Sequence, residues 1–324
     1  TTFSQHHDYR LQLYCGVATD TPELPREKAR DILLGQAAFA LAKARTMGLD
    51  QIWFYDTELH KKEILENYVA THMEQALQNQ EFQLYLQPKM DLSRRKLGGA
   101  EALVRWVTPD GQTLFPDQFI PFFESNGFCA RLDLYMFASV CRQLREWMDA
   151  GLEPIPLSIN QSKLLFYESD YVQTLQQLTE AYHIPPQLIT LEILEGLALE
   201  HVEELNEKIT QLQALGFRLS MDDFGSGYSS FNTLGRLKID ELKLDRGFLL
   251  EASRTGHQRQ RIIMGQIVEL SKKLHISTVV EGVETQENEA FIRSLGCDYG
   301  QGYYYSRPLH AKDFTRQYMD PQGR

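Results

Sequence analysis

The sequence predicts an α/β fold, a (βα)8 barrel of the TIM type, and three observations lead to it. From Phe82 onward, short apolar runs alternate with longer amphipathic stretches of helical period. Eight such runs fall within about 240 residues, a length that suits eight strand-helix units. Each run meets a polar or charged side chain near its end, and in such a barrel the strand ends converge on one rim.

Ahead of the barrel, Tyr9–Ala18 alternates like a strand and Thr19–Pro25 is a turn-rich break. Glu27–Thr46 reads as a helix with Gly48 as its stop, and Gln51–Tyr55 as a short strand. Leu59–Gln80 is charged and helical. The expected boundaries are therefore 1–58 for a small α/β piece, 59–80 for a connecting helix and 81–324 for the barrel. The barrel runs are Phe82–Gln87, Gly98–Arg105, Ile155–Asn160, Leu188–Ile193, Phe217–Asp222, Glu241–Asp245, Ile276–Glu281 and Tyr299–Tyr305.

Composition narrows the function. The chain carries 33 basic and 44 acidic residues, a net charge of −11. That argues against a basic face for long nucleic acids, but not against a small phosphate ligand screened by a cation. Cys15, Cys129, Cys141 and Cys297 are scattered without a Cys-x-x-Cys pair, as in a reduced, cytoplasmic protein. The richest apolar run, Ile32–Ala42, is far shorter than the ~20 residues of a membrane helix. The chain starts abruptly inside what reads as a folded unit, so an upstream sensory or membrane-tethering region is left open.

The polar residues at the run ends are Gln87, Glu101 with Arg105, Asn160, Glu192, Asp222 with Asp223, Lys243, Glu281 and Gln301. Taken singly, each has a plain structural reading: a helix cap, a paired core acid, a turn residue or a bulge. Together they imply five carboxylates at one rim, which would repel one another without a cation. Oxygen donors without clustered Cys or His select Mg²⁺ or Mn²⁺. Five acids exceed what one such ion usually takes, so two ions sharing a bridging carboxylate fit better. Two ions about 3.5–4 Å apart suit in-line displacement at phosphorus. Lys243 could orient the water or contact a phosphate oxygen, and Arg105 could hold a phosphate through its planar fork. Asp223-Phe224-Gly225 lacks the other kinase motifs, and there is no Lys-Ser/Thr phosphate loop and no Gly-x-Ser-x-Gly elbow.

At Glu101-Ala102-Leu103, followed by Val104-Arg105-Trp106, the chain resembles the EAL family of cyclic di-GMP phosphodiesterases. The likeness extends to Tyr85-Leu86-Gln87-Pro88, to Phe119–Gly127 and to Ser158-Ile159-Asn160. It continues through Leu191-Glu192-Ile193-Leu194-Glu195, Asp222–Ser230 and Leu242-Lys243-Leu244-Asp245. Val280–Thr285 and Gly300-Gln301-Gly302-Tyr303 complete it, so that it covers about residues 80–315 in the family's order.

The resemblance implies a barrel whose first strand is antiparallel. It implies that Glu101, Asn160, Glu192 and Asp222 hold one Mg²⁺ or Mn²⁺ ion, and that Asp222 is shared with a second ion bound by Asp223 and Glu281. Lys243 would contact the attacking water, so that Glu101, Lys243 and Glu281 are the candidate catalytic residues. Gln87, Arg105 and Gln301 would hold the dinucleotide, and Glu195 and Glu284 would support the Asp222–Ser230 loop. The product would be linear pGpG, and the partner copy of a homodimer would pack beside that loop. Residues 1–58 more weakly resemble the second half of a GGDEF domain, without its signature. A receptor that binds cyclic di-GMP without turnover, another Mg²⁺-dependent barrel enzyme and a scaffold are the competing readings.

Overall fold

The computed structural model describes residues 13–20, 26, 28–47, 52–196, 202–225, 231–254 and 257–320. The chain divides into two compact units, Thr1–His72 and Met73–Arg324.

In the first unit, β1 (Cys15–Val17) pairs in parallel with β2 (Ile52–Phe54). The helix α1 (Ala29–Met47) links them, as a parallel pair requires. Gly16 lets α1 lie directly on β1: a Cβ there would come within 2.2 Å of the Ala37 carbonyl oxygen. The expected strand at 9–18 thus survives as Cys15–Val17, and residues 9–12, 21–25, Gly48 and Gln51 lie outside the described residues. The helix α2 (Thr57–Gln78) starts earlier than the sequence suggests, because the Asp56 carboxylate accepts from the backbone N–H groups of Glu58 at 2.9 Å and Leu59 at 3.1 Å.

The second unit is built on the strands β3 (Phe82–Asp91), β4 (Lys96–Val107), β5 (Thr113–Leu114), β6 (Leu157–Gln161), β7 (Ile189–Leu194), β8 (Arg218–Phe224), β9 (Glu241–Leu244), β10 (Ser277–Val280), β11 (Tyr299–Gln301) and β12 (Leu309–His310). Eight of them close a barrel in the order β3-β4-β6-β7-β8-β9-β10-β11 and back to β3. Every neighbouring pair is parallel except those that β3 makes with β4 and β11. The cause is local. Residues 92–95 are too few for a crossover, and the Asp91 carboxylate accepts from Ser93 and Arg94 N–H at 2.9 and 2.8 Å, folding a tight hairpin. The two-residue strands β5 and β12 extend the sheet beside β4 and β3 and were not anticipated.

Two parities alternate along the barrel strands. Leu157, Ile159, Leu191, Ile193, Leu219, Met221, Leu242, Leu244 and Val279 are almost fully buried and face the surrounding helices. The intervening residues are polar and equally buried: Ser158, Thr190, Glu192, Ser220, Asp222, Glu241, Lys243 and Thr278. Helices α3 (Pro116–Asn126), α4 (Cys129–Asp149), α5 (Lys163–Phe166), α6 (Tyr171–Ala181), α7 (Val202–Leu215), α8 (Phe231–Arg236), α9 (Arg246–Ser253), α10 (Gln258–Lys273), α11 (Gln286–Leu295) and α12 (Ala311–Phe314) lie in the connections and at the end of the chain.

One expected strand is corrected. β11 stops at Gln301, and Tyr303–Tyr305 form a turn rather than continuing the run. Gly302 has φ of +157°, and a Cβ there would stand 2.2 Å from the Val283 carbonyl oxygen. The chain folds over at this glycine and is tied down by Val283 N–H to the Gln301 carbonyl at 3.0 Å and Tyr304 N–H to the Val283 carbonyl at 2.9 Å.

Candidate metal centre

The strand-end rule places most of the predicted residues, and fails informatively for two. Asn160, Glu192, Asp222 and Lys243 sit in the last half of their strands, Gln301 ends β11, and Glu281 follows β10. Glu101 instead lies in the middle of β4, because β4 runs on past the barrel mouth to pair with β5. Gln87 is in the middle of the reversed β3, directly across from Glu101.

Asp222 and Asp223 are consecutive, so on a regular strand their side chains would point to opposite faces. The β8–β9 ladder shifts register between Met221 and Phe224, and Asp223 takes φ of +58°. This bulge turns both carboxylates toward one site. Its cost in backbone strain falls where strained residues commonly serve a site.

The result is two groups of acids that share one member. Glu101, Glu192 and Asp222 can each offer an oxygen within 4.8 Å of the others, and so can Asp222, Asp223 and Glu281. Lys243 is fully buried between them. Its Nζ lies 2.9 Å from Glu192 Oε2, 2.9 Å from Asp222 Oδ2, 2.8 Å from Glu281 Oε1 and 3.5 Å from Glu101 Oε1. Asn160 Nδ2 donates to Glu101 Oε1 at 3.1 Å, and Gln301 Nε2 donates to Glu101 Oε2 at 2.5 Å and to Gln87 Oε1 at 3.0 Å. Gln87 Nε2 in turn donates to the Ser306 carbonyl at 3.1 Å.

Electrostatics show how far the acids outweigh the bases. Burial pushes Asp222 up to about 7, opposed by Lys243 and helped by Glu192 and Glu281. Burial also raises Glu101 and Glu281 against the pull of Lys243. Glu192 goes the other way: burial would raise it, but Lys243 and Lys89 outweigh that and hold it down to about 2. Burial works to lower Lys243, yet the surrounding carboxylates, Glu101 first, raise it well above its usual value. With Lys89 and Lys243 both drawn to Glu192 and only Lys243 reaching Asp222, negative charge is left uncompensated around Asp222. The donors are all hard oxygens, and a divalent cation of the Mg²⁺ class fits both the charge and the chemistry.

A cavity of about 210 Å³ opens onto this cluster, lined among others by Gln87, Glu101, Arg246, Glu281, Gln301 and Tyr303. A larger hollow of about 720 Å³ along β1 and α1 contains Arg26 and Arg30 but no acid. Arg105 does not line the acidic cavity. Its guanidinium lies over the rings of Phe115 and Tyr85, 5.0 and 5.7 Å from their centres, and Nη1 donates to the Val104 carbonyl. Glu195 is buried just past β7. Glu284 pairs with Arg246 at 2.7 Å. Residues 226–230 of the loop that these two acids are expected to support lie outside the described residues.

Two residues of the site, Lys89 and Arg246, are absent from the sequence-based expectations. Lys89 is buried beneath Glu192, with its Nζ 2.9 Å from Glu192 Oε1 and 3.0 Å from Glu241 Oε1. Arg246 crosses the cavity mouth over Gly282, where a Cβ would come within 2.2 Å of its side chain. The one available signal was the period of β3, which puts Lys89 on the same face as Gln87.

Comparison with known proteins fits this geometry. Residues 70–308 match the EAL domain. The chain is 30% identical over 284 residues to the signaling protein YkoW of Bacillus subtilis, covering 88% of this chain and 35% of that protein. It is 33% identical over 289 residues to the cyclic di-GMP phosphodiesterase NbdA of Pseudomonas aeruginosa, covering 88% of this chain and 37% of that protein. The chain thus spans well under half of these relatives. The solved structure of the PaMucR phosphodiesterase in complex with c-di-GMP superposes with a TM-score of 0.71 at 33% identity, covering 76% of this chain and 99% of that one. The barrel with its one reversed strand, the acid groups within it and the match over most of the length agree: the chain belongs to the EAL domain family.

Proposed function

We propose that this chain hydrolyses one phosphodiester bond of cyclic di-GMP to give linear pGpG, using two Mg²⁺ or Mn²⁺ ions. The observation that carries the reading is the pair of carboxylate groups sharing Asp222 at the mouth of an EAL barrel. Glu101, Asn160, Glu192 and Asp222 would hold one ion, and Asp222, Asp223 and Glu281 the other. When bound, the ions would activate a water and neutralise charge on the phosphate oxygens. Lys243, already in contact with four of these carboxylates, would orient the incoming water and keep the acids together. The Gln301 amide donates to both Gln87 and Glu101, which keeps the two amides beside the cluster, where they would fix the dinucleotide. Arg105, held over the Phe115 and Tyr85 rings, would bind phosphate through the in-plane N–H groups of its guanidinium.

The test is to incubate the chain with cyclic di-GMP and Mg²⁺ or Mn²⁺, follow pGpG by chromatography, and repeat with Asp222→Ala. Wild type should linearise the substrate and the variant should not. Tight binding without turnover in either cation would replace this reading by that of a receptor.

The same reading proposes a cytoplasmic chain that pairs with a second copy through the barrel, with residues 1–58 derived from a GGDEF-like domain. Among the described residues, no helix is long and apolar enough to cross a membrane.

A further inference from the structure

One buried cation has no part in the proposal above. Lys89 lies on the inward face of β3, two residues beyond Gln87. Because β3 runs against its neighbours, that step leads away from the cavity mouth and down into the barrel. At that level Lys89 borders a small hollow of about 30 Å³, together with Gly98, Pro156, Arg218 and Glu241 near the beginnings of the parallel strands. At 5% exposure it reaches neither solvent nor a ligand in the upper cavity.

Its contacts are specific. Nζ lies 2.9 Å from Glu192 Oε1 and 3.0 Å from Glu241 Oε1. The other oxygen of Glu192, Oε2, takes Lys243 Nζ at 2.9 Å. The two oxygens of one fully buried carboxylate are thus gripped by two different ammoniums, Lys243 on the acid-cluster side and Lys89 from below. A planar group held at both ends cannot rotate. Lys89 is itself held from the far side by Glu241, so the chain of contacts runs Glu241–Lys89–Glu192–Lys243. Apolar side chains of similar volume would fill this part of a barrel at less desolvation cost than a buried ion network. Packing alone does not account for it.

We propose that Lys89, backed by Glu241, is a positioning residue that fixes the orientation of Glu192 so that its carboxylate is set for cation binding. Lys89 touches neither substrate nor cation and acts only through Glu192. This rests on the two-ion reading of the site. Groups behind a metal ligand typically contribute about 10–100-fold to affinity.

The experiment is a Mn²⁺ titration of the full chain by calorimetry, with steady-state turnover alongside, for wild type, Lys89→Met, Glu192→Gln and the double variant. Lys89→Met should bind Mn²⁺ about 10–100-fold more weakly. Its kcat should fall while its KM for cyclic di-GMP holds. In the Glu192→Gln background, Lys89→Met should cause no further loss, because the residue through which it acts is already gone. Wild-type Mn²⁺ affinity in Lys89→Met, or an equal loss in both backgrounds, would overturn the proposal. If circular dichroism shows that Lys89→Met does not fold, Glu241→Gln takes its place in the same cycle, with a smaller loss expected and wild-type affinity overturning the idea. A wild-type chain that neither binds Mn²⁺ nor opens cyclic di-GMP would instead defeat the proposed function.

Discussion

The two faces of the barrel wall are built from the same strands and are almost equally dry, yet they follow opposite rules. Toward the helices, Leu191, Leu219, Leu242 and Val279 are wholly buried among apolar neighbours. One residue away on the same strands, Glu192, Ser220 and Lys243 are wholly buried as well. The outer face gains its stability from area removed from water and from close packing. The inner face holds charges that burial penalises, and it is tolerable only because nearly every one has a partner. The fold is therefore maintained largely on one side of the wall while the acid cluster is held on the other. Substitutions on the two sides should separate stability from cation binding.

The largest effect is expected where one group serves many partners. Lys243→Met removes the ammonium that touches four carboxylates and leaves their charge unpaired. The metal-free protein should lose about 3–5 kcal/mol in urea unfolding, and turnover should vanish. Added Mn²⁺ should restore part of that stability, since a cation replaces some of the lost charge. An unaltered melting curve would mean that the inner face does not depend on this pairing.

Next comes the matching change on the outer face. Leu219→Ala opens a cavity between β8 and the helices and should cost about 2–5 kcal/mol. The folded fraction should keep its Mn²⁺ affinity. A large fall in affinity measured by calorimetry would show that the two faces are coupled through the wall.

pH divides the inner face against itself. Asp222, raised to about 7, makes the metal-free protein less stable as pH climbs from near 4 to 7, because the unfolded chain ionises this acid more readily. Glu192 acts in the opposite sense. Its depressed value contributes stability above the ordinary carboxylate range, and this is lost only as pH falls toward 2. Mn²⁺ binding requires the Asp222 proton to leave, so affinity should rise through pH 7 with proton release. Titration calorimetry in two buffers of different ionisation enthalpy would detect that proton. A pH-independent affinity would show that no proton leaves Asp222 on cation binding.

The smallest effect lies away from both faces. Asp56→Ala removes the cap of α2 and should cost about 1 kcal/mol, read as a slight loss of helical signal on heating. Neither turnover nor Mn²⁺ affinity should change. A change in either would tie the helix to the site.

Much of this was legible in the sequence because it is local. The two-residue period of a strand is written in the order of side chains, so the eight runs and their inward polar members could be read directly. The reversal of β3 was implied by the short link between Phe82–Gln87 and Gly98–Arg105, too short for a crossover helix, and was reached instead through family likeness. The limits of Tyr299–Gln301 were not legible, since Tyr303–Tyr305 continue an apolar run and only the approach of Val283 to Gly302 turns them away.

The sequence by itself determined the eight runs and most of the polar residues they carry inward, since strand period and run spacing are properties of the chain alone. The tertiary structure decided what they do there. It placed Asp222 and Asp223 on one side through a bulge, set Lys89 beneath Glu192 and laid Arg246 across Gly282. The Lys89–Glu192 contact joins residues 103 positions apart, and its energy arises only when closure of the barrel removes both charged groups from water together.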